Sequence, residues 1–316
     1  METELKRKIF LEKLLVIEKK NILKLFSKYV GPGIRRKVLR LLLGGHIYLL
    51  FFLNKLDLLS TKNRTIKLFW GREIKSFINS SELFDLIVSR GALLDPSELK
   101  LTKFLIKNLK ENDIFYDIGA NYGFYTYLAL EFCKEVHSFE PLPDIFENLR
   151  MNLKGDKKYF LNNIALSEQI GETFIYMGGA KFYTKEHTGG STIITDKSYL
   201  NKLNPSREIS IKTITLDEYI KNHNKPTIIK VDVEGAESLV IKGGYEFFKN
   251  NSPIIAMEVW SGEERKFSQE AINLLMQLNF QPHFIDENGD IFLIKSDEIY
   301  SHIERSLDNF IFKKLN

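Results

Sequence analysis

Hydrophobic positions change their spacing about a third of the way along this chain of 316 residues. Residues 5–28 carry apolar side chains at helical spacing, and Gly31-Pro32-Gly33 predicts the end of that helix. Further elements are predicted as a helix to about residue 59, short strands over 64–70 and 73–78, and helices over 81–90 and 96–109. The pattern predicts a helical extension over residues 1–70, followed by a domain over 71–316.

From residue 113 short apolar strands alternate with amphipathic helices. Strands are predicted over 114–118, 136–140, 158–165, 227–232 and 254–259, and helices over 123–133, 143–153, 235–248 and 266–278. Residues 167–213 read as strand and loop. Alternating strands and helices imply a parallel sheet that is covered on both faces.

The end of the regular region predicts a β-hairpin. Residues 280–285 and 291–295 are apolar and flank Asp286-Glu287-Asn288-Gly289-Asp290. Asn-Gly supplies the positive φ angles that a tight hairpin turn requires. A parallel sheet that closes with an antiparallel hairpin differs from the usual dinucleotide-binding double unit.

Charge is spread unevenly along the chain. Residues 1–70 carry a net charge of +11, and the remaining residues sum to −7. Such a basic arm suits anionic lipid, nucleic acid or an acidic partner, or it is simply a solubilised helical extension. Nucleic acid is disfavoured, because no aromatic-plus-basic stripe, helix-turn-helix or zinc-finger spacing is visible in the body.

The longest apolar run, Leu41–Leu53, has 13 residues, whereas a membrane span needs about 20. We therefore predict a buried or interfacial helix there and a cytoplasmic protein, with attachment of the basic arm to a membrane surface as an alternative. Cys133 is the only cysteine, which excludes an internal disulfide and a cysteine-based zinc site.

Candidate chemistry begins in the stretch F-Y-D-I-G-A-N-Y-G-F-Y-T at 115–126, where a strand ends and a helix should start. Gly119 and Gly123 allow the backbone to approach a ligand closely, and Asn121 tolerates a left-handed conformation. Asp117 lies at the carboxyl end of the strand, where open α/β sheets bind ligands. Glu140 ends the next strand, where an acid can accept hydrogen bonds from ribose hydroxyls.

Two cofactors fit this arrangement of an acid, two glycines and a second acid. A dinucleotide site requires G-x-G-x-x-G for a pyrophosphate, and Gly119-Ala-Asn-Tyr-Gly123 lacks that spacing. Asp117 would repel a pyrophosphate but attract the sulfonium or ammonium group of S-adenosylmethionine. The alternative without a ligand is a tight strand-to-helix turn.

These residues resemble the FkbM-type methyltransferases. The matching segments are Y-D-I-G-A-N-Y-G-F-Y-T at 116–126, S-F-E-P-L-P at 138–143, N-I-A-L-S at 163–167, T-L-D-E-Y-I at 215–220, I-K-V-D-V-E-G-A-E at 229–237 and P-I-I-A-M-E at 253–258. They occur in the family's order over roughly residues 95–295. The segment at 229–237 is the most specific, and the basic arm lies outside the resemblance.

The resemblance implies an α/β fold of the class I, Rossmann-like methyltransferase type. The expected sheet is mostly parallel and seven-stranded, with an antiparallel terminal hairpin, and the basic helical extension precedes it. The implied reaction is S-adenosylmethionine-dependent O-methylation of a hydroxyl on a small-molecule or glycan acceptor. The predicted cofactor-binding residues are Asp117, Gly119, Ala120, Asn121, Gly123, Thr126, Glu140, Pro141, Asn163 and Ala165.

Several carboxylates are expected on one rim of the sheet near the acceptor. We predict Asp232, Glu234 and Glu258 as catalytic residues, because crowded acids favour a general base near neutral pH. Asp232 and Glu258 could instead hold a divalent cation. Helix capping is the alternative for Glu237, and pairing with the acids is expected of Lys230.

Other hypotheses stay open at this point. His187, in a glycine-containing loop, is an alternative base, and Trp260 could stack on a sugar ring or pack in the core. A nicotinamide-dependent oxidoreductase and a non-catalytic binding module are the rival functions. The sequence leaves the acceptor, the position methylated, the metal and the oligomeric state open.

Overall fold

A computed structural model describes residues 2–19, 63–77, 90–153, 158–177, 191–205, 207–303 and 306–315. The chain divides into two compact units. The first comprises Met1–Leu94 with Gly179–Thr188, and the second comprises Asp95–Gly178 with Gly189–Asn316.

The described part of the first unit contains helix α1 (Glu2–Lys19) and an antiparallel pair of strands, β1 (Thr65–Lys67) and β2 (Glu73–Lys75). Aromatic packing joins them: the Phe10 ring stacks on Trp70 at 6.0 Å, and Phe69 meets Trp70 edge-on at 4.8 Å. The short strands match the sequence prediction.

The predictions for most of the basic arm fall outside the described residues. These include the apolar run Leu41–Leu53, the second helix to residue 59 and the helix over 81–90. Among the residues that the structure does describe, none of the helices is long and apolar enough to cross a bilayer. Contact with a membrane surface therefore stays a prediction.

The second unit is an α/β domain. Its strands are β3 (Ile114–Ile118), β4 (Glu135–Phe139), β5 (Tyr159–Asn162), β6 (Ala165–Leu166), β7 (Gly171–Met177), β8 (Arg207–Ile214), β9 (Ile228–Val231), β10 (Ile254–Trp260), β11 (Phe280–Ile285), β12 (Ile291–Leu293) and β13 (Leu307–Lys314). Its helices are α2 (Pro96–Asn108), α3 (Phe124–Leu130), α4 (Pro143–Leu153), α5 (Lys197–Leu203), α6 (Leu216–Tyr219), α7 (Glu237–Gly243), α8 (Tyr245–Asn250) and α9 (Arg265–Gln277).

Eight of these strands form one sheet in the order β12-β11-β13-β10-β9-β3-β4-β5. The five neighbouring strands β5, β4, β3, β9 and β10 run parallel to one another. In β3, Ile118 pairs with Phe139 of β4 on one side and with Val231 of β9 on the other. The carboxyl ends of β3, β4, β9 and β10 therefore meet at one edge of the sheet. This confirms the predicted α/β fold with a mostly parallel sheet.

The sheet closes differently in detail from the seven-stranded prediction. The hairpin of β11 and β12 forms, but β12 is an eighth strand at the outer edge. The strand that inserts antiparallel between β10 and β11 is β13, which the sequence analysis did not identify. In the hairpin turn only Gly289 has a positive φ, of 80°, while the Asp286 carboxylate accepts the N–H groups of Asn288 and Asp290.

Alternation along the strands divides the core between the two faces of the sheet. Tyr116, Ile118, Ile229 and Val231 belong to a buried cluster that includes residues of α7, α8 and α9. Because side chains alternate along a strand, the residues between them face α2 and α3 on the other side. Asp117 and Lys230 are among those residues.

Two predicted elements break where the local chemistry changes. The predicted strand 158–165 ends at Asn162, and Ala165 joins β6, in a three-stranded sheet ordered β6-β8-β7. Asn163 donates to the carbonyl oxygens of Glu140 and Pro141, which draws the chain away from the large sheet. The predicted helix 235–248 forms as α7 and α8, because Gly243-Gly244 has low helix propensity.

Candidate active site

The candidate site lies at the edge where β3, β4, β9 and β10 end. Asp117 is the fourth residue of β3, Glu140 follows β4, Asp232 follows β9 and Glu258 lies in β10. Parallel pairing brings these four acids from positions far apart in the sequence to one rim. The structure thus assembles the central residues of the sequence prediction.

Asp117 is completely buried on the α3 side of the sheet. Its Oδ2 accepts a hydrogen bond of 2.6 Å from Thr126 Oγ1, and Thr126 Oγ1 lies 2.7 Å from Ser138 Oγ. Its Oδ1 is 3.9 Å from Lys230 Nζ and has no hydrogen-bond partner among the described residues. Burial raises the pKa of Asp117, and the charge of Lys230 and the Thr126 hydrogen bond oppose that rise.

The turn after β3 has the left-handed backbone that its sequence predicts. Gly119, Asn121 and Gly123 have φ angles of 80°, 50° and 82°. The N–H groups of Gly119 and Ala120 both donate to Phe139 O, so the turn is fastened to the end of β4. A Cβ on Gly119 would lie 1.8 Å from the backbone oxygen of Asp232, so only glycine fits between the two turns.

Glu140 is 5% exposed, and its carboxylate spans two turns. Its Oε2 accepts the N–H of Asn121 at 2.8 Å, and Oε1 accepts the N–H of Leu142 at 2.8 Å. Burial raises the pKa of Glu140 to about 7, although both backbone hydrogen bonds favour the ionised form. A carboxylate has about four acceptor positions, so the two backbone bonds leave room for ligand donors.

The remaining predicted cofactor residues surround this turn at different depths. Ala120 and Thr126 are buried, and Thr126 positions Asp117. Asn163 is exposed beside Pro141, whereas Ala165 is buried and pairs with Thr213 in the smaller sheet. Contact of any of these residues with a cofactor stays a prediction.

Lys230 is a buried cation that lies close to Asp232 and Asp117. Its side chain is 4% exposed, and its Nζ lies 2.9 Å from Asp232 Oδ2 and 5.2 Å from the centre of the Tyr125 ring. Burial lowers the pKa of Lys230, but the charges of Asp232, Asp117 and Glu98 outweigh burial and raise it. Lys230 forms an ion pair with Asp232, which confirms the pairing expected from the sequence.

Asp232 differs from the other acids in its access to solvent. Its side chain is 27% exposed, against 1% for that of Asp117. Its N–H donates to Ile118 O at 3.0 Å, which fixes the residue to the end of β3. Of the two acids paired with Lys230, Asp232 is therefore the one that is open to solvent.

A second group of acids lies beside Asp232. Glu258 is buried, and its Oε2 accepts a 2.6 Å hydrogen bond from Trp260 Nε1. Burial, followed by the charges of Asp232 and Glu234, raises the pKa of Glu258 well above its usual range. Trp260 is only 7% exposed, so it packs in the core rather than offering a face to a sugar.

The turn after β9 is held by Glu237, the first residue of α7, which bonds to the turn before the helix rather than capping the helix amides. Its Oε1 accepts the N–H groups of Gly235 at 3.1 Å and Val233 at 3.3 Å. Glu234, within that turn, has a φ of 54°. Burial raises the pKa of Glu237 to about 7.

Helix α5 covers the side of this acidic group. Tyr199 lies against Trp260, with ring centres 5.8 Å apart, and against Phe267. Ion pairs from Asp196 to Lys266 and from Lys202 to Glu264 hold the helix ends to the region after β10. His187, the alternative base, lies outside the described residues.

The divalent-cation hypothesis lacks a full ligand set in the described part of the chain. No group of three or more His, Cys, Asp or Glu side chains there is arranged to hold a metal ion. Asp232 and Glu258 are near one another, but one oxygen of Glu258 is bonded to Trp260.

The sequence analysis missed three contributors to the site. Glu98 on α2, Tyr125 on α3 and Asn309 on β13 are joined by hydrogen bonds beside Lys230. The sequence Asp95-Pro96-Ser97-Glu98 is typical of a helix start, and the Asp95 carboxylate accepts the N–H of Ser97. A helix start does not indicate that Glu98 lies beside Lys230.

Comparisons with known proteins find methyltransferases. The family model described as "Methyltransferase FkbM domain" matches residues 117–291. The hexuronic acid methyltransferase AglP of Haloferax volcanii is 27% identical over 175 residues, covering 54% of this chain and 65% of AglP. The 2-O-methyltransferase NoeI of Sinorhizobium fredii is 29% identical over 166 residues, covering 50% of this chain and 68% of NoeI.

The alignments thus span about two thirds of each curated relative's length. The crystal structure of methyltransferase FkbM from Methylobacillus flagellatus is similar at a TM-score of 0.43 and 14% identity, covering 73% of this chain and 53% of that one. A TM-score of this size does not establish a common fold, and the family assignment rests on the sequence match. Because that match extends over more than half of the residues, the chain belongs to the FkbM methyltransferase family.

Proposed function

We propose that the protein is an S-adenosylmethionine-dependent O-methyltransferase that acts on a hydroxyl group of a saccharide or glycoconjugate. The observation that carries the proposal is the grouping of three acids at one edge of the sheet. Glu140 and Asp117 lie at the turn formed by residues 119–123, and Asp232 lies beside them with its side chain partly exposed. Family membership supports methyl transfer. The name of AglP supports a sugar acid as the acceptor, and the name of NoeI supports transfer to an oxygen atom.

The residues at the turn suit this cofactor. The Glu140 carboxylate is oriented by two backbone N–H groups and can accept ribose hydroxyls with its remaining acceptor positions. Asp117 contributes a buried negative charge with one oxygen lacking a hydrogen bond among the described residues. Gly119 allows this turn to pack against the backbone oxygen of Asp232 at the same edge. When bound, S-adenosylmethionine supplies an electrophilic methyl group on a positively charged sulfur.

The acceptor side requires a group that positions a hydroxyl and removes its proton. Asp232 has both the exposure and the charge for this role. Lys230 fixes one of its oxygens at 2.9 Å, which leaves the other oxygen to accept the hydroxyl proton. Burial and the charges of Asp232 and Glu234 favour proton uptake by the neighbouring Glu258.

A nicotinamide-dependent oxidoreductase is the less favoured function. A pyrophosphate would meet the buried negative charge of Asp117 at a turn without the G-x-G-x-x-G spacing. Calorimetric titration with NAD(P)H beside S-adenosylhomocysteine distinguishes the two functions.

The proposed reaction is tested by incubating the protein with a labelled methyl donor and a panel of nucleotide sugars, glycans and lipid extracts. We expect transfer of label to a saccharide hydroxyl, with methyl ether formation established by mass spectrometry. Failure to label any acceptor, in protein that binds S-adenosylhomocysteine, would favour the non-catalytic binding module.

Cofactor affinity should depend on pH through Glu140. Its pKa of about 7 means that the carboxyl loses its proton, and gains acceptor capacity for ribose hydroxyls, as the pH rises through 7. We expect affinity for S-adenosylhomocysteine to increase about tenfold from about pH 6 to about pH 8. Calorimetry at several pH values measures this increase.

The controls use two acids with the same titration range. Glu140→Gln should remove the pH dependence, whereas Glu237→Gln should keep it, because Glu237 bonds to its own turn. An unchanged pH dependence in Glu140→Gln would show that another group is responsible.

A further inference from the structure

Glu98 approaches the candidate site from a helix that precedes the matched family region. One carboxylate oxygen accepts the Tyr125 hydroxyl at 2.6 Å, and the other accepts Asn309 Nδ2 at 3.1 Å. Asn309 is 3% exposed and Tyr125 is 4% exposed. Three separate elements, α2, α3 and β13, therefore fix the position of one partly buried acid.

The Tyr125 ring that Glu98 holds is also the ring against Lys230. The ammonium lies 5.2 Å from the centre of that ring, a distance typical of a cation–π contact. Lys230 is close to Asp232 on one side and to Asp117 on the other. Tyr125 thus links Glu98 to this cation, and the charge of Glu98 also raises the pKa of Lys230.

The single positive charge of Lys230 cannot neutralise the carboxylates of Asp117, Asp232 and Glu98 together. Burial and then the charge of Asp232 raise the pKa of Glu98, while Lys230, Tyr125 and Asn309 oppose the rise. Glu98 and Asp232 therefore influence one another through their charges, although they belong to different elements.

We propose that Glu98 is a positioning residue for the acceptor-side base: it holds Tyr125 against Lys230 and competes with Asp232 for the ammonium charge. This rests on the proposed function, in which Asp232 takes the hydroxyl proton. If Lys230 interacted with Asp232 alone, Asp232 would be a poorer proton acceptor. Because Glu98 also interacts with the charge of Lys230, Asp232 is held in place and can still accept a proton.

The kinetic test separates charge from hydrogen bonding. Glu98→Gln keeps an acceptor for Tyr125 and loses the charge, whereas Glu98→Ala loses both. With the acceptor that the wild-type protein labels best, we expect both variants to lower kcat about threefold to tenfold. KM for the acceptor and the dissociation constant of S-adenosylhomocysteine should stay within about twofold, since neither ligand contacts Glu98 in this account.

A second measurement needs no acceptor. Because the pKa of Glu98 is raised in the folded protein, the folded state binds its proton more tightly, and that contribution to stability is lost as the pH rises. The stability of Glu98→Gln relative to wild type should therefore increase from about pH 5 to about pH 8. Denaturant unfolding across that range measures the difference.

The matched control is Glu111→Gln, an exposed acid shortly after the same helix. It should change neither kcat nor the pH dependence of stability. The proposal is overturned if Glu98→Gln restores wild-type kcat while Glu98→Ala does not, because hydrogen bonding alone would then suffice. It is also overturned if the relative stability of Glu98→Gln is independent of pH. Lack of transfer by the wild type contradicts the proposed function, and the unfolding result then tests only whether Glu98 binds its proton more tightly in the folded protein.

Discussion

Replacement of Asp232 by asparagine is expected to lower kcat for methyl transfer by about 10²- to 10⁴-fold, the range typical of losing a general base. Asparagine has the same shape but cannot take up the hydroxyl proton. Lys230 retains Asp117 at 3.9 Å, so its charge remains compensated and the fold should be kept. Steady-state transfer of a labelled methyl group measures the loss.

The accompanying measurements restrict the loss to the acceptor side. The affinity of Asp232→Asn for S-adenosylhomocysteine should stay within a few fold of wild type. Asp290→Asn is the control, because Asp290 is an exposed acid in the β11–β12 turn that pairs with Lys107. Wild-type kcat in Asp232→Asn would remove this residue from the reaction.

Gly119→Ala is expected to have the largest effect on the cofactor turn. Alanine is strained at a φ of 80°, and its Cβ would lie 1.8 Å from Asp232 O, which is backbone and cannot rotate away. The turns after β3 and β9 would have to separate. We expect the free energy of unfolding to fall by more than about 2 kcal/mol and affinity for S-adenosylhomocysteine to fall at least about tenfold.

Gly262→Ala is the control that distinguishes the effect of a steric clash from the effect of a positive φ angle. Gly262 has a φ of 68°, but the nearest atom to its Cβ would be 4.0 Å away, at the end of the Glu264 side chain. It should lose only about 1 kcal/mol of stability and keep its affinity for the cofactor product. Equal losses in the two variants, measured by denaturant unfolding and calorimetry, would show that φ alone matters at Gly119.

The acids at the strand ends could be predicted because their positions follow from local pattern. An apolar strand that ends in Asp117, or just before Glu140 or Asp232, places each residue at the carboxyl edge of a parallel sheet. The glycine spacing after β3 likewise predicted the left-handed turn that the structure contains. These signals need no knowledge of which strands are neighbours.

The residues that support Lys230 could not be predicted in this way. Glu98 and Asn309 are 211 positions apart in the sequence, and they meet because β13 inserts between β10 and β11. The sequence pattern does not reveal that insertion, because the predicted β11–β12 hairpin already closes the sheet. Ala165 moved to the smaller sheet because the Asn163 side chain bonds to the loop after β4, which a strand pattern does not reveal.

In this account, Glu140 after β4 holds the ribose of S-adenosylmethionine, and the turn after β3 receives the positively charged sulfur of the cofactor. Isothermal titration of the folded protein with S-adenosylhomocysteine, compared with Glu140→Ala, tests it most directly. We predict measurable binding by the wild-type protein and a loss of at least about tenfold in the variant, since charge-assisted hydrogen bonds contribute about 1.5–3 kcal/mol. No binding by the wild type, or equal affinity in Glu140→Ala, would contradict the account.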